Sequence, residues 1–399
     1  MTIHALDAVA QRAKLIAYGA AQWRDPASET RAQARDELVA GIWPAPTVEA
    51  ALDNALWDLD DARSAELAGR VYSGSRAQGA RTIDARSEIL VILPGNVIGP
   101  AIQAAYCAAI AGANVTLKAS SDERHLAAIV SRQFDQLGEP LAGTAKAVYW
   151  PGGDIEAEAK AFAAVQRIIA FGESATIDSI RARARDGVEV IGYGESFSVA
   201  YVHADADLTK AAAGAARDVC LFDQRGCMSP QTIYVQGDAG RALLFGRAVA
   251  REVENVSRTM PRAPLARGER ELVADALRRF AASAMEPMPH GLDTLVKGPL
   301  RDSVFEFIVA VEAFGPPTCL GFGRIAVVKP CPGAREVAVQ LKRCDSPLDT
   351  LGICAGLSER DRSALRLAGA KRICELGEMQ RPPLGYRPAI TDFTGSNTA

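Results

Sequence analysis

The chain has 399 residues, 48% hydrophobic and 23% charged, with 45 basic side chains against 48 acidic ones for a formal net charge of −3. This composition excludes wholesale disorder, the missing basic excess argues against a dedicated nucleic-acid binder, and at roughly 100–200 residues per domain the length predicts two or three units. No apolar run reaches the roughly 18–20 residues of a membrane span. The opening MTIHALDAVAQRAK lacks a basic head followed by an apolar stretch, so a cytoplasmic protein is expected.

Residues 6–20 and 26–38 have helical spacing, Trp43-Pro44-Ala45-Pro46 interrupts it, and one further helical stretch is predicted over 48–67. From residue 88 the texture alternates. A strand over 89–93 ends in Pro94-Gly95-Asn96, and an Ala-rich helix follows over 100–111, with Pro100 in its first turn and Gly112 as its stop. Strands are predicted over 114–118, 147–150, 167–171 and 188–191, with helices between them over 123–136, 154–163 and 176–184. Ser120 and Ser121 are the expected caps of the first of these helices. Strand and helix at such spacing predict right-handed crossovers and a parallel sheet covered on both faces, a dinucleotide-binding architecture. No G-x-G-x-x-G opens the first strand–helix turn, so an ordinary Rossmann fingerprint is missing.

After residue 192 a second α/β unit is predicted, with strands over 198–202, 231–236, 324–329 and 350–353. Helices are predicted over 207–221, 241–256, 269–284 and 335–342. The expected organisation is a helical lead-in with a cofactor-binding domain over 1–192, a catalytic domain over 193–379 and an extended tail over 380–399. The Arg- and Glu-rich stretch 262–270 reads as a solvated connector.

The 8 cysteines form no C-x-x-C pair and only 4 histidines are present, so neither a zinc site nor a disulfide framework is expected. Cys227 stands apart, in Phe222-Asp223-Gln224-Arg225-Gly226-Cys227-Met228-Ser229-Pro230-Gln231, between a helix and a strand where glycine and proline exclude regular structure. A thiolate on such a loop can attack a carbonyl carbon, aided by backbone N–H groups or by Arg225; the competing reading is a buried cysteine in a turn. Asn96, past the first parallel strand, is placed where ligand crevices open, and its amide can donate to a developing oxyanion. Lys118 ends the second strand and faces the same crevice. Gly172-Glu173-Ser174 follows the fourth strand and opens a helix on whose free N–H groups a phosphate can rest. His125 and His203 read as surface or capping residues.

The order of these landmarks, Asn96, then Thr116-Leu117-Lys118-Ala119-Ser120, Phe171-Gly172-Glu173-Ser174, Asp205-Ala206-Asp207-Leu208 and Cys227, resembles the aldehyde dehydrogenase superfamily. Within it, Val148 to Asp154, Asp223-Gln224 through Gln231 and Asp349-Thr350-Leu351-Gly352-Ile353 resemble the fatty acyl-CoA reductase (LuxC) branch, over about residues 85–390. The resemblance implies an aldehyde-dehydrogenase-like fold with Cys227 as nucleophile and Asn96 as oxyanion donor. It further implies that Lys118, Ser120 and Ser121 lie by the adenosine ribose or its phosphate, Gly172 and Ser174 by the pyrophosphate, and Glu312, in Glu312-Ala313-Phe314-Gly315-Pro316, by the nicotinamide ribose. A homodimer or tetramer is implied in the same way.

Hydrolytic members of that superfamily carry a water-activating glutamate where this chain has Tyr193, with Glu195 two residues on. Three positions after Lys118, where NAD-preferring members often carry an acid, stands Ser121, with Arg124 following. NADPH is therefore expected, and the adjacent Asp122 keeps NADH open. The expected activity is reduction of an acyl thioester, acyl-CoA or an acylated carrier, to an aldehyde through an acyl-cysteine. A hydrolytic dehydrogenase using Glu195, or a nucleotide-binding scaffold, are the alternatives.

Overall fold

The computed structural model describes residues 3–77, 87–283, 295–301, 303–320, 322–354 and 356–394. They form two compact units, Met1–Gly194 with Arg381–Ala399, and Glu195–Gln380.

Unit 1 opens with helices α1 (Ile3–Arg24), α2 (Glu29–Ala40), α3 (Ala45–Ala55) and α4 (Asp61–Ala77). The single helix expected over 48–67 is two helices. Leu56 and Leu59 turn inward between them, and Arg24 Nη1 holds the turn by donating to the carbonyls of Leu56 (2.5 Å) and Leu59 (2.8 Å). Then follow β1 (Glu88–Ile92), α5 (Pro100–Ala111), β2 (Asn114–Lys118), α6 (Leu126–Leu137), β3 (Ala145–Val148), α7 (Ile155–Ala163), β4 (Arg167–Phe171), α8 (Ser174–Arg183) and β5 (Glu189–Tyr193). The strands form a five-stranded parallel sheet in the order β3-β2-β1-β4-β5.

Helix α5 runs as its punctuation dictates, from Pro100 to a left-handed Gly112 (φ 77°), and every residue from Ala101 to Ile110 is buried. A helix apolar all round needs cover on both sides. The sheet supplies one side, and α1, α3 and α4 pack against the helix as well, which gives the N-terminal helices a structural role. Their junction is polar but fully satisfied: buried Gln133 on α6 accepts from Trp23 Nε1 (2.8 Å) and Tyr106 Oη (3.1 Å), and donates to Gly19 O (3.0 Å) and Gln22 Oε1 (2.8 Å). Ser120 and Ser121 do not cap α6. Glu123 does, its Oε1 accepting from the N–H groups of His125 and Leu126 at 2.7 and 2.8 Å, because a longer side chain reaches the first turn from where the chain enters.

The segment expected as an extended tail packs on unit 1 through residue 394. Trp57 Nε1 donates to Pro382 O (3.1 Å), Leu384 N to the Asp58 carboxylate (3.1 Å), and Phe393 is buried. Tyr193, at the end of β5, donates to Asp392 Oδ2 and accepts from Ala389 N (3.0 Å). Burial and the Asp392 carboxylate both push the Tyr193 hydroxyl well above the ordinary phenol range.

Unit 2 runs β6 (Phe197–Val202), α9 (Leu208–Cys220), β7 (Pro230–Gln236), α10 (Ala239–Thr259), α11 (Arg267–Ser283), β8 (Leu295–Lys297), β9 (Leu300–Arg301), β10 (Val304–Phe305), β11 (Ile308–Val311), β12 (Ile325–Cys331), α12 (Ala334–Leu341), β13 (Leu348–Ile353), α13 (Glu359–Arg366) and β14 (Arg372–Glu375). Seven strands form one sheet in the order β14-β13-β6-β7-β12-β11-β8, parallel except for the edge pair β11–β8; β9 and β10 form a small antiparallel pair. Period-two alternation splits the core. Ala200, Val202, Ile233 and Val235 face α9 and α10, while Val199, Tyr201 and Tyr234 face α12 and α13.

Tyr193 is one of several ties on the C-terminal segment, so Tyr193→Phe should cost about 1–3 kcal/mol, the range for losing a partly buried hydrogen-bonded hydroxyl. Urea unfolding measures it, and an unchanged midpoint would contradict this role for Tyr193.

Candidate active site

In unit 1 the strand order reverses at β1, with β2 on one side and β4 on the other. In open parallel sheets the ligand crevice lies outside the carboxyl ends of the strands at such a point. Asn96 lies in the exposed bend between β1 and α5, Lys118 ends β2, and Gly172 and Ser174 join β4 to α8. The turn after β1 comes very close to the segment after β2: a Cβ on Gly95 would collide with Ser120 Oγ. Ser120 Oγ accepts from Asp122 N (3.3 Å), and Ser121 O accepts from Arg124 Nε (3.2 Å).

Lys118 is partly buried. Its ammonium lies 5.9 and 5.7 Å from the ring centroids of Tyr149 and Trp150, and among the described residues it has no carboxylate or hydrogen-bond partner. Burial lowers its pKa, against smaller raising effects of Tyr149 and Glu158. The Arg124 guanidinium sits 4.2 Å from the same Tyr149 ring, so two cations converge on one aromatic side chain. The resemblance drew attention to Tyr149 and Trp150 only as sequence landmarks; nothing in their spacing revealed this contact.

In unit 2, α9 ends at Cys220 and the chain makes a tight 3-10 turn over Leu221–Gln224. Three consecutive non-glycine residues there are left-handed: Phe222 (φ 60°), Asp223 (φ 52°) and Gln224 (φ 61°). Each costs of order 1–3 kcal/mol, so the surroundings must hold them. Asp223 is buried and its Oδ1 pairs with Arg324 Nε at 2.7 Å, while Oδ2 accepts from Ala263 N (2.9 Å). Arg324 is fully buried, left-handed itself (φ 58°), and also donates to Ser257 Oγ (2.8 Å) and Met260 O (2.9 Å). Asp223 O accepts from Gly323 N (2.8 Å). The Gln224 amide acts as a short extra strand, donating to Pro230 O and Ile325 O (both 2.9 Å) and accepting from Ile325 N.

Cys227 follows this clamp on a turn closed by Ser229 N to Gly226 O (3.1 Å), and its side chain is partly exposed. Its carbonyl accepts from Ser198 Oγ (2.6 Å), which in turn accepts from Thr350 N (3.0 Å). Its Sγ donates to Asp349 Oδ2 at 3.8 Å. Among the other thiols, burial pushes Cys220 and Cys354 up to about 11 and Cys331 and Cys374 up to about 12, and pushes Cys107 and Cys344 up as well. Cys319 is exposed.

Arg225, expected near the thiol, is engaged elsewhere: its Nη1 and Nη2 lie 3.1 Å from the two oxygens of Glu269, which also caps α11 through Ala266 N. That engages the stretch 262–270 in unit 2, where a solvated connector was expected. Glu312 follows β11 and is level with Lys329 on β12, at the opposite strand end from Pro230, roughly 13 Å along the ladder at about 3.3 Å per residue. Burial pushes its carboxyl up, but the Thr318 hydroxyl (2.6 Å) and Lys329 (3.0 Å) outweigh that and hold it below its ordinary value. Glu195 is exposed beside Ser196. His125 Nδ1 lies 3.1 Å from Glu37, and His203 Nδ1 accepts from Asp205 N (3.2 Å). Among the described residues no three His, Cys, Asp or Glu side chains cluster to hold a metal, and no helix is long and apolar enough to cross a membrane.

These two sets of residues fall within one family match. A model described as acyl-CoA reductase (LuxC) matches residues 74–387. The chain belongs to that family. A long-chain acyl-protein thioester reductase of Photorhabdus laumondii is 27% identical over 290 residues, 72% of this chain and 57% of that protein, so this chain spans little more than half of that relative's length. Among solved structures, an NAD-dependent benzaldehyde dehydrogenase from Corynebacterium glutamicum superposes with a TM-score of 0.68 at 18% identity, covering 97% of this chain and 84% of the other. An indole-3-acetaldehyde dehydrogenase in complex with NAD+ does so with 0.69 at 16%, covering 98% and 85%. The fold is that of the aldehyde dehydrogenases.

Removing the cation from the clamp leaves Asp223 buried and unpaired. Arg324→Met should therefore cost about 3–5 kcal/mol in urea unfolding, and adding Asp223→Asn should recover part of it. A loss below about 1 kcal/mol for the single variant would show that the pair does not hold the turn.

Proposed function

We propose that this protein reduces an acyl thioester to an aldehyde, with Cys227 as the acyl acceptor. The observation that carries the reading is Cys227's setting: a partly exposed thiol, just past a strained turn that a buried ion pair holds, in a member of the acyl-CoA reductase family. The thiolate attacks the thioester carbonyl, and the donor leaves as a thiolate that needs little help from a general acid near neutral pH. The Asn96 side-chain amide donates to the oxyanion, a role that rests on the family likeness. The donor is acyl-CoA or an acylated protein, and the name of the Photorhabdus relative favours the second.

A nicotinamide cofactor fits unit 1 on its own geometry. The crevice at the β1–β4 reversal, the close approach at Gly95 and the partly buried Lys118 ammonium form a cradle for a ribose or phosphate. Lys118, Ser120 and Ser121 hold the adenosine end, and Gly172 with Ser174, at the start of α8, the pyrophosphate. Arg124 beside Lys118 on the Tyr149 ring supports NADPH, since two cations there favour a 2′-phosphate. When bound, the nicotinamide supplies the hydride for reduction of the acyl-cysteine. Glu312 is already neutralised by Lys329, and the reading does not depend on it.

One further feature favours reduction over hydrolysis. The position of the water-activating glutamate is Tyr193, whose hydroxyl is engaged with Asp392 and held in its protonated form. An acyl-cysteine with no glutamate at that position then waits for hydride.

The deciding variant is Cys227→Ala. Acyl-CoA-dependent NADPH oxidation should fall by roughly 10³-fold or more, while NADPH binding, followed by its fluorescence, stays unchanged. Turnover retained in that variant would overturn the proposal.

A further inference from the structure

β13 does not pair regularly with its neighbour. Leu348 is opposite Phe197 and Leu351 opposite Val199, so β13 carries one extra residue between them. β7 has a matching irregularity, since Ser198 is opposite Pro230 but Val199 opposite Thr232. Such bulges break strict alternation and re-aim side chains. The residues in the β13 bulge are Asp349 and Thr350, and the one opposite them on β6 is Ser198, which bonds both Thr350 N and Cys227 O. The result is a fully buried carboxylate beside the thiol: Asp349 Oδ2 accepts from Cys227 Sγ (3.8 Å) and lies 3.3 Å from Ser196 Oγ, while Oδ1 accepts from Thr350 Oγ1 (2.9 Å).

We propose that Asp349 is the proton acceptor and donor for Cys227. This deepens the reading of Cys227 as acyl acceptor and rests on it. As Sγ bonds to the acyl carbon, the thiol proton passes to Asp349 Oδ2. As the thioester C–S bond breaks, the donor leaves as a thiolate and the proton stays on Asp349. When the aldehyde is released, Cys227 regains its electron pair and takes that proton back from Asp349. A thiol–oxygen distance of 3.8 Å is long, as catalytic contacts often are before substrate arrives. Charged residues near the pair in the fold include Arg372 on β14, which lies by Met228 Sδ and donates to the carbonyls of Glu378 and Met379; Arg225, paired with Glu269; Lys371, whose backbone N donates to Asp349 O; and the exposed Glu195 next to Ser196.

The test reads Cys227 without any acyl donor, so it can fail while acyl transfer to Cys227 survives. The alkylation rate of Cys227 by iodoacetamide, located by peptide mass, is followed from pH 4 to 10. A proton-sharing pair gives a rate with two pH-dependent limbs separated by a plateau, whereas an isolated thiol gives one. In Asp349→Asn the amide oxygen can still accept from Thr350 and the amide nitrogen donate to Ser196. There the plateau should vanish, with the rate falling about tenfold per pH unit below pH 8, at least ~10²-fold slow at pH 6, and catching up with the unmodified protein near pH 9–10. A single ionisation in the ordinary thiol range in the unmodified protein would overturn the proposal whether or not the variant folds. So would a variant profile of unchanged shape.

Discussion

The buried pair between Asp223 and Arg324 is the constraint on which the site depends. Each partner sits on backbone that L-amino acids disfavour: residues 222–224 and Arg324 are all left-handed. Neither strained segment is stable alone, and neither charge is tolerable alone in that interior. Together the pair and the Gln224–Ile325 bonds fix where α9 stops, where β12 begins, and the direction in which the chain enters the turn bearing Cys227. A buried ion pair is not cheap stability, but it suits a case where one conformation must be specified against many. The position of Cys227, the proposed nucleophile, is thus set by interactions three and four residues away, with its own side chain left partly exposed.

Burial separates Cys227 from five of the other seven thiols. Cys107, Cys220, Cys331, Cys354 and Cys374 lie in or beside the cores of the two sheets, where burial disfavours a thiolate. Cys227 is held at the amino end of β7, with hydroxyls and a carboxylate around it. In unit 1 the corresponding device is Lys118, a cation left over two aromatic faces at the carboxyl end of a parallel strand.

Much of this was legible in the amino-acid sequence wherever local physics decides. Pro100 and Gly112 bound α5, short β-branched runs mark β2 and β4, and Gly226 with Pro230 put Cys227 outside regular structure. What was not legible is tertiary. The eight residues of α13 bury only Leu365, so they carry no apolar period to read. Strands β8 to β11 are too short to alternate, and the break at residues 56–60 is fixed by Arg24, far away in the chain. Asp349 stands 122 residues from Cys227 and reaches it only because β13 bulges. Its motif was visible; its purpose depends on a register that no local pattern encodes. Tyr193 shows the converse: its position indicated a missing base, and the fold supplies the reason a tyrosine is there, the tie to Asp392.

The central claim is that Cys227 accepts an acyl group from a thioester. Intact mass after incubating the protein with a medium-chain acyl-CoA, with no cofactor present, tests it most directly. The account predicts one acyl adduct, mapped to Cys227 and discharged as aldehyde when NADPH is added. No adduct from either acyl-CoA or an acylated carrier protein, or an adduct on the exposed Cys319 instead, would contradict it.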